Sequence, residues 1–146
     1  MNFTDLYQHI ITTAADLALA TSLNDIPNVR ILNFVCDKTR GGVLYISTFN
    51  DNQKVIEFNQ NDKVAFTTVS VGDEQHVRVR YATVKKTGNA TDTTPHIEAL
   101  KSQFIQKYPQ FECMFDQFGS ELDIWEIHYN EANVVAEMGN DGMITF

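Results

Sequence analysis

Apolar and polar positions alternate over much of this chain, and only a few segments show the three-to-four-residue spacing of a helix. In the segment HVRVRYATVKK, for example, Val77, Val79 and Tyr81 fall on one face and two arginines fall on the other. Such alternation is typical of half-buried strands. The predicted strands are Ala18–Leu23, Val29–Asp37, Val43–Thr48, Lys63–Val71, His76–Lys86, and the segments ELDIWEIHY and NVVAEMG.

Helical spacing occurs in four segments. The predicted helices are Phe3–Ala18, Asn52–Gln60, His96–Tyr108 and Phe111–Phe118. Thr4 is expected to cap the first helix and Thr94 the third, and Ile56 is expected among the inward side chains of the second. The helices are few, and they do not alternate strictly with the strands.

Most neighbouring strands are separated by short, turn-forming segments, which favours hairpins over a doubly wound parallel sheet. The sequence therefore predicts a mainly β fold: an antiparallel barrel with a few peripheral helices. A length of 146 residues is typical of one domain, so a single domain is predicted over residues 1–146.

The charge balance excludes some partners. A net charge of −8 and a pI near 4.8 disfavour nucleic acid and anionic membranes. No segment approaches the roughly 20 apolar residues of a membrane span, and the N-terminal segment lacks the basic region of a secretory signal. A cytoplasmic protein is expected. All 11 basic residues lie between Arg30 and Lys107, together with eight acidic ones, so this window has a net charge of +3 and could receive a small anion.

Familiar hydrolytic, metal and nucleotide motifs are absent from the sequence, including G-x-S-x-G, H-E-x-x-H, C-x-x-C and G-x-G-x-x-G. Cys36 and Cys113 are expected to be free thiols, and no metal site is predicted. The four histidines lie far apart without ligand spacing and are interpreted as surface or hydrogen-bonded residues, although a fold could still bring some together. They are His9, His76, His96 and His128.

One constellation is typical of a phosphate site. Arg30 begins one predicted strand, Ser47 and Thr48 end the next, and Lys54 opens the helix that follows. If the two strands pair as a hairpin, Arg30 and Thr48 lie across from each other near the helix N-terminus. Guanidinium, hydroxyl and ammonium groups together favour a phosphate dianion. Each residue alone has an ordinary interpretation as a solvated or capping side chain.

The same residues carry a resemblance to a known family. LATSLNDIPNVRILNFV resembles the opening strands of the pyridoxamine 5′-phosphate oxidase-like family of FMN-binding split barrels, with L-A-T, a turn ending in Pro27, and Arg30. LYISTFNDNQKV is similar to the family's strand that ends in a hydroxyl and is followed by a basic residue. NQNDKVAFTTV resembles its N-P-R-V-A segment, and VRVRYATVKK its V-x-V-x-G-x-A strand. The resemblance covers Ala18–Lys86 well and the C-terminal third loosely.

The resemblance implies that the barrel is an antiparallel split β-barrel, Greek-key-like. It also implies a homodimer that binds FMN in clefts between its subunits, and an oxidoreductase that uses a small-molecule electron donor or acceptor. Lys54 would contact the phosphate, and Trp125 would pack near the flavin from the other subunit unless it is a core residue. The implied cofactor-binding positions are Arg30, Ile31, Leu32, Asn33, Ser47, Thr48, Gln53, Lys54, Gln75, His76 and Trp125.

Departures from the family pattern bear on which cofactor and which substrate the chain could bind. Gln53 replaces the first member of the usual basic pair, and Tyr81 stands where the strand usually has Gly. The ending GNDGMITF lacks the Arg-Leu-x-Pro-type segment of true pyridoxamine phosphate oxidases, so that substrate is not predicted. No catalytic residue is identified. Two alternatives stay open: a non-catalytic haem- or flavin-binding protein on the same scaffold, with His76 or His128 as candidate axial ligands, and a barrel that serves only as an interaction module.

Overall fold

The computed structural model describes residues 2–70, 74–137 and 139–146. Nine strands and four α-helices lie in these ranges. The helices are α1 (Phe3–Thr13), α2 (Gln53–Gln60), α3 (Pro95–Lys107) and α4 (Phe111–Phe118), and a short 3-10 helix spans Gly119–Glu121. The strands are β1 (Asp16–Leu23), β2 (Ile26–Leu32), β3 (Val35–Cys36), β4 (Val43–Phe49), β5 (Lys63–Val69), β6 (His76–Asn89), β7 (Leu122–His128), β8 (Glu131–Glu137) and β9 (Asn140–Thr145).

All nine strands belong to one antiparallel sheet. The order is β2-β1-β5-β6-β7-β4-β3. Residues 83–89 of β6 pair with β7, and residues 76–78 pair, along the same edge of β6, with β8 of the β8–β9 hairpin. β4 therefore returns beside β7 next to the meander β5-β6-β7, which is the Greek-key arrangement. The described pairings do not close the sheet, so the predicted split, antiparallel barrel with few helices is confirmed.

The predicted start of the first helix at Phe3 is confirmed, but its predicted end and its predicted N-cap were wrong. The helix predicted to end at Ala18 ends at Thr13, because Ala14 takes an extended ψ of 135° and the chain enters β1. The N-cap is Asn2, whose side chain accepts a hydrogen bond from the Asp5 N–H, rather than Thr4. The cap predicted at Thr94 is confirmed, since its side chain accepts from the Ile97 N–H.

The segment predicted as one strand over Val29–Asp37 is two strands with different partners. β2 forms a tight hairpin with β1 through Asn24 and Asp25, both at positive φ (52° and 64°), as a two-residue turn requires. β2 then ends at Leu32, and β3 pairs with β4 instead. The strand also begins at Ile26, earlier than predicted, and includes Pro27 on an edge strand, where a missing N–H is tolerated.

A β-bulge in β6 changes the predicted faces. Phe66 pairs with Val79, but Val64 pairs with Ala82, so β6 contains one residue more than β5 between these two pairs. Beyond the bulge the alternation shifts. Tyr81, predicted on the same face as Val77 and Val79, is instead 59% exposed. The turn predicted after Val71 lies partly outside the described residues.

The core has two parts, one on each face of the sheet. The larger fills the barrel interior and includes apolar side chains of α1 and α2, with Leu17, Leu19 and Phe34 fully buried. The smaller lies under α3 and α4, around Tyr45 and Phe104. At about 0.8 kcal/mol per buried methylene, these two clusters provide most of the driving force for folding. α2 thus forms one wall of the interior, which places its first turn beside the end of β4.

A half-buried lysine makes the stability of the fold depend on pH. The Lys107 ammonium lies 3.8 Å from the centre of the Phe34 ring and donates a 2.9 Å hydrogen bond to the Phe34 carbonyl. Burial lowers the pKa of Lys107 from 10.5 to about 8. Between these values the folded chain has released a proton that the unfolded chain retains, so the free energy of unfolding should rise with pH above about 8.

Urea unfolding of the wild type and of Lys107→Met at about pH 7 and about pH 9 would measure this contribution. The wild type should gain more stability than the variant between the two pH values. Groups whose folded pKa is raised, such as Tyr108, act in the opposite direction at higher pH, but they remain in both proteins. Equal pH responses of the two proteins would contradict the assignment.

Candidate functional site

The end of β4 and the first turn of α2 bring an ammonium group and a hydroxyl group together. Asn52, predicted as the first residue of the helix, instead lies just before α2 and caps it by accepting a hydrogen bond from the Lys54 N–H. The Lys54 side chain turns back toward β4, and its Nζ donates a 2.7 Å hydrogen bond to Thr48 Oγ1. Both side chains are buried, with Lys54 only 7% exposed.

Lys54 is a buried cation without a carboxylate partner. No ion pair to it exists within the described ranges, and Thr48, its hydrogen-bond partner there, is neutral. Burial lowers the pKa of Lys54, and the nearby positive charge of Arg30 lowers it further. A desolvated ammonium of this kind is stabilised by any anion that reaches it.

Arg30 lies close to Lys54 but is held by an acidic residue. Its guanidinium donates to Glu57 Oε1 at 2.5 Å and to Thr21 Oγ1 at 2.7 Å, and Thr21 in turn donates to Glu57 Oε1 at 2.7 Å. Burial raises the pKa of Glu57, but the hydrogen bonds from Thr21, Arg30 and Asn28 outweigh it, so the pKa lies below its ordinary value. Arg30, Lys54 and Glu57 together carry a net charge of +1. We call these three residues with Thr21 and Thr48 the α2 cluster.

The predicted hairpin between the strands of Arg30 and Thr48 was wrong. Arg30 pairs with Leu19 on β1, and Thr48 pairs with Asp123 on β7. The two residues reach the same region through α2, because Lys54 and Glu57 lie one helical turn apart and contact β4 and β2 separately. The predicted convergence of arginine, hydroxyl and lysine is therefore present by a different route.

Ser47 does not share the environment of Thr48. Successive side chains of a strand point to opposite faces, so Ser47 lies on the face covered by α3 and α4. Its Oγ is buried and has no hydrogen-bond partner in the described chain. Within one chain, then, Thr48 is the hydroxyl that lies next to Lys54.

The remaining positions on β2 and α2 are more open. Ile31 is 59% exposed, whereas Leu32 is half-buried against the core. Asn33 donates a 2.7 Å hydrogen bond to Asp16 Oδ1, which fixes the end of β2. Gln53 is exposed at the first position of α2. Its side chain is uncharged, so this position lacks the positive charge of the family's usual basic pair.

Gln75 and His76 lie at the far end of β6 from the α2 cluster. His76 pairs with Val135, whereas Thr83 near the middle of β6 pairs with Lys63, which follows α2 closely along the chain. His76 Nδ1 is 2.7 Å from the Glu74 carbonyl oxygen. The fold of a single chain does not bring these two residues to Lys54.

Trp125 is part of the core of its own chain. It is 4% exposed, pairs with Ile46, and packs on Phe58 of α2 with 5.1 Å between ring centroids. Its Nε1–H is buried and lacks an acceptor among the described residues. Burying an N–H without a partner costs about 1–3 kcal/mol, so an acceptor at this position would be favourable.

Sequence reasoning missed Thr21 and Glu57. Both lie in segments that were correctly predicted as strand and helix, but a glutamate in an amphipathic helix is normally solvent-facing. The available signal was the spacing of Lys54 and Glu57, three residues apart on a face that also carries the buried Phe58.

A second polar cluster lies at the other end of β4, beneath α3. His128 Nε2 is 2.5 Å from Glu126 Oε2, and Glu126 Oε1 is 3.9 Å from His96 Nε2. Arg40 also approaches Glu126, at 3.6 Å. Burial raises the pKa of Glu126, but the neighbouring His128 outweighs it and holds the pKa below its ordinary value. Three of the four histidines, His76, His96 and His128, are thus hydrogen-bonded or paired. No metal-binding group of three His, Cys, Asp or Glu residues occurs among the described residues.

Comparison with known proteins identifies the family. A sequence model of the pyridoxamine 5′-phosphate oxidase-like family matches residues 10–141. The chain belongs to this family. The match includes the α2 cluster, β6 and most of the β8–β9 hairpin, so it extends beyond Ala18–Lys86, where the sequence resemblance was clear.

Solved structures support the same fold. General Stress Protein 26 of Bacillus anthracis is 16% identical, with a TM-score of 0.71 and full coverage of both chains. The haem storage protein HutZ of Vibrio cholerae is 11% identical, with a TM-score of 0.70, and the match covers 99% of this chain and 95% of HutZ. A haem-binding protein of Mycobacterium smegmatis is 11% identical, with a TM-score of 0.77, and the match covers 99% of this chain but 58% of that protein.

Two further observations are negative. No curated protein matches the sequence significantly. Among the described residues, no helix has the length and apolar character needed to cross a membrane.

Proposed function

We propose that this chain is an FMN-binding flavoprotein, and that it acts as an oxidoreductase on a small-molecule electron donor or acceptor. The observation that carries the proposal is the buried ammonium of Lys54, whose only partner among the described residues is a neutral hydroxyl. Membership of the family supports the cofactor class. Pyridoxamine phosphate is not proposed as the substrate.

The α2 cluster fits the phosphate end of FMN. Lys54 would provide an uncompensated positive charge, Thr48 a hydroxyl donor, and the start of α2 the positive end of a helix dipole. Arg30 would share its guanidinium between Glu57 and the phosphate. Because Glu57 offsets one of the two positive charges, we expect moderate rather than extreme affinity.

Two copies of the chain would complete the cofactor site. Within one chain, Gln75 and His76 do not lie beside the α2 cluster, whereas Trp125 packs on Phe58 of α2 in its own chain. A second copy would supply the first two residues to the cleft. β2 pairs with β1 on one edge only, and its exposed side chains include Val29 (63%) and Ile31 (59%). An apolar edge strand of this kind favours pairing with another copy.

In such a site the protein binds and orients the cofactor. A bound FMN would supply the hydride- and electron-transfer chemistry. Lys54 and Thr48 would hold the phosphate away from water, and Arg30 would add positive charge near the negative cofactor. No residue is proposed as a catalytic acid or base.

A flavin titration of the purified protein tests the proposal. We expect the purified protein to be yellow, or the apoprotein to quench FMN fluorescence with one FMN bound per chain. Mass spectrometry of the released chromophore should identify FMN. A colourless protein that binds no FMN at micromolar concentration would contradict the proposal.

A haem-binding function is the second candidate, because solved structures named as haem-binding or haem storage proteins share this fold. His128 Nε2 is hydrogen-bonded to Glu126, which leaves His76 as the more accessible of the two predicted axial ligands. A Soret band that appears on adding haem and is lost in His76→Ala would favour this candidate over FMN.

A further inference from the structure

Two arginines on the outer face of β6 line a pocket that shares no residue with the α2 cluster. The pocket has a volume of about 260 Å³ and is open to solvent. Arg78 and Arg80 are two residues apart on one face of the strand, about 7 Å from each other along the chain. The lining residues are Arg78, Arg80, Tyr81, Glu131, Asn133 and Met143.

The register explains why these side chains meet. Arg78 pairs with Asn133 on β8, and Asn133 pairs with Met143 on β9, so the three residues form one row across the sheet. The bulge in β6 turns Tyr81 onto the same face, where its ring forms part of the pocket wall. The Gly that the family usually has at this strand position could not provide that wall.

Neither arginine is neutralised. Across the described ranges, no ion pair or hydrogen bond of Arg78 or Arg80 exists, although the protein carries 19 acidic residues against 11 basic ones. Glu131 lines the same pocket without forming an ion pair with either guanidinium. Two unpaired guanidinium groups beside a concave surface favour an anionic ligand.

The pocket is separate from the proposed cofactor site. Arg30 pairs with Leu19, and Leu19 pairs with Phe66, both of which lie in the core, so Arg30 faces the barrel interior. Arg78 pairs with Thr67 and faces the other side of the sheet. The pocket is formed by one chain, and its ligand needs neither FMN nor a second copy.

We infer that this pocket binds a small aromatic acid, with its carboxylate or phosphate held by Arg78 and Arg80. The Tyr81 ring and the Met143 thioether, 59% and 55% exposed, form apolar walls that suit a flat ring. Asn133 adds an amide donor beside Arg78. Glu131 limits the negative charge of the ligand, because a second anionic group near it would be repelled.

Calorimetric titration with benzoate and phenyl phosphate, and with uncharged benzamide as the comparison, tests the inference. We expect Arg78→Gln to weaken benzoate binding about tenfold, because a charge-assisted hydrogen bond is lost. Glu131→Gln should tighten it about threefold by removing a nearby like charge. Lys85→Gln, which removes one exposed charge from the same strand outside the pocket, should change it by less than about twofold. Opposite effects of the first two variants cannot arise from loss of folding.

Several outcomes would overturn the inference. Benzamide could bind as tightly as benzoate, or benzoate could shift the amide resonances of Thr48 and Lys54 rather than those of Arg78 and Asn133. Arg78→Gln could also change the oligomeric state in sedimentation without changing benzoate affinity, in which case the guanidinium groups serve a second chain. Unchanged FMN affinity in Lys54→Met, or a wild type that binds no FMN, together with intact benzoate binding would reject only the proposed function.

Discussion

Lys54→Met should weaken FMN binding about a hundredfold while leaving the fold as stable as the wild type or more stable. Removing a charged group that faces a buried phosphate typically costs 2–5 kcal/mol of binding energy. In the free protein the same ammonium is buried and has no carboxylate partner within the described part of the chain, so an apolar side chain of similar length removes a desolvation cost. Fluorescence titration and urea unfolding would measure the two effects on one preparation.

Lys63→Met is the matched control. Lys63 follows α2 closely in sequence but is exposed and pairs with Asp62 on the surface. Its replacement removes the same charge from the protein and should change FMN affinity by less than about threefold. Equal losses in the two variants would mean that only net charge matters, and unchanged affinity in Lys54→Met would remove Lys54 from the site.

Glu57→Gln should change stability and affinity in opposite directions. The carboxylate accepts hydrogen bonds from Arg30 and Thr21, and the Glu57 side chain is 7% exposed. Losing its charge leaves Arg30 unpaired, and we expect a loss of about 1–3 kcal/mol in the free energy of unfolding, reduced because the Arg30 side chain is 19% exposed. The same change frees Arg30 for the phosphate, so FMN should bind about tenfold more tightly.

Glu98→Gln serves as its control, since Glu98 forms an exposed ion pair with Lys101 on α3. Both quantities should stay close to wild type in this variant. A Glu57→Gln protein that binds FMN more weakly would indicate that Glu57 positions Arg30 for the cofactor instead of competing for it.

The pH dependence of the Glu57 contribution has a defined sign. The pKa of Glu57 is lowered in the folded state, so its stabilising effect is present above the ordinary pKa of a glutamate and is lost as the pH falls through the folded value. The difference in stability between wild type and Glu57→Gln should therefore shrink in acid.

Much of the fold follows from local patterns. The cap at Thr94 and the apolar, β-forming runs of β4 and β7 are properties of short segments, so they could be predicted. The family resemblance then joined these segments into a split barrel.

The errors arise where long-range pairing decides. Val29–Asp37 is a continuous run of β-forming residues, and nothing local indicates that the chain changes its partner strand after Leu32. The bulge that exposes Tyr81 depends on the count of residues in β5 as well as in β6. β9 was not predicted, because its polar residues and Gly142 give no strand pattern and the strand forms by pairing with β8.

The sequence predicted the basic and hydroxyl residues of the candidate site, but not the acidic residue that offsets part of their charge. Arg30, Thr48 and Lys54 could be named because basic and hydroxyl residues near a helix start are typical of phosphate sites. Glu57 could not, since its burial depends on the contact of α2 with β1 and β2. The net charge of the α2 cluster, which sets its affinity for anions, therefore required the structure.

Comparing FMN with riboflavin, which lacks the phosphate, tests the central claim most directly. If the Lys54 ammonium holds the phosphate, the wild type should bind FMN about a hundredfold more tightly than riboflavin, and Lys54→Met should lose most of this preference while keeping its riboflavin affinity. A wild type that binds both flavins equally, or a preference for FMN that survives in Lys54→Met, would contradict the account.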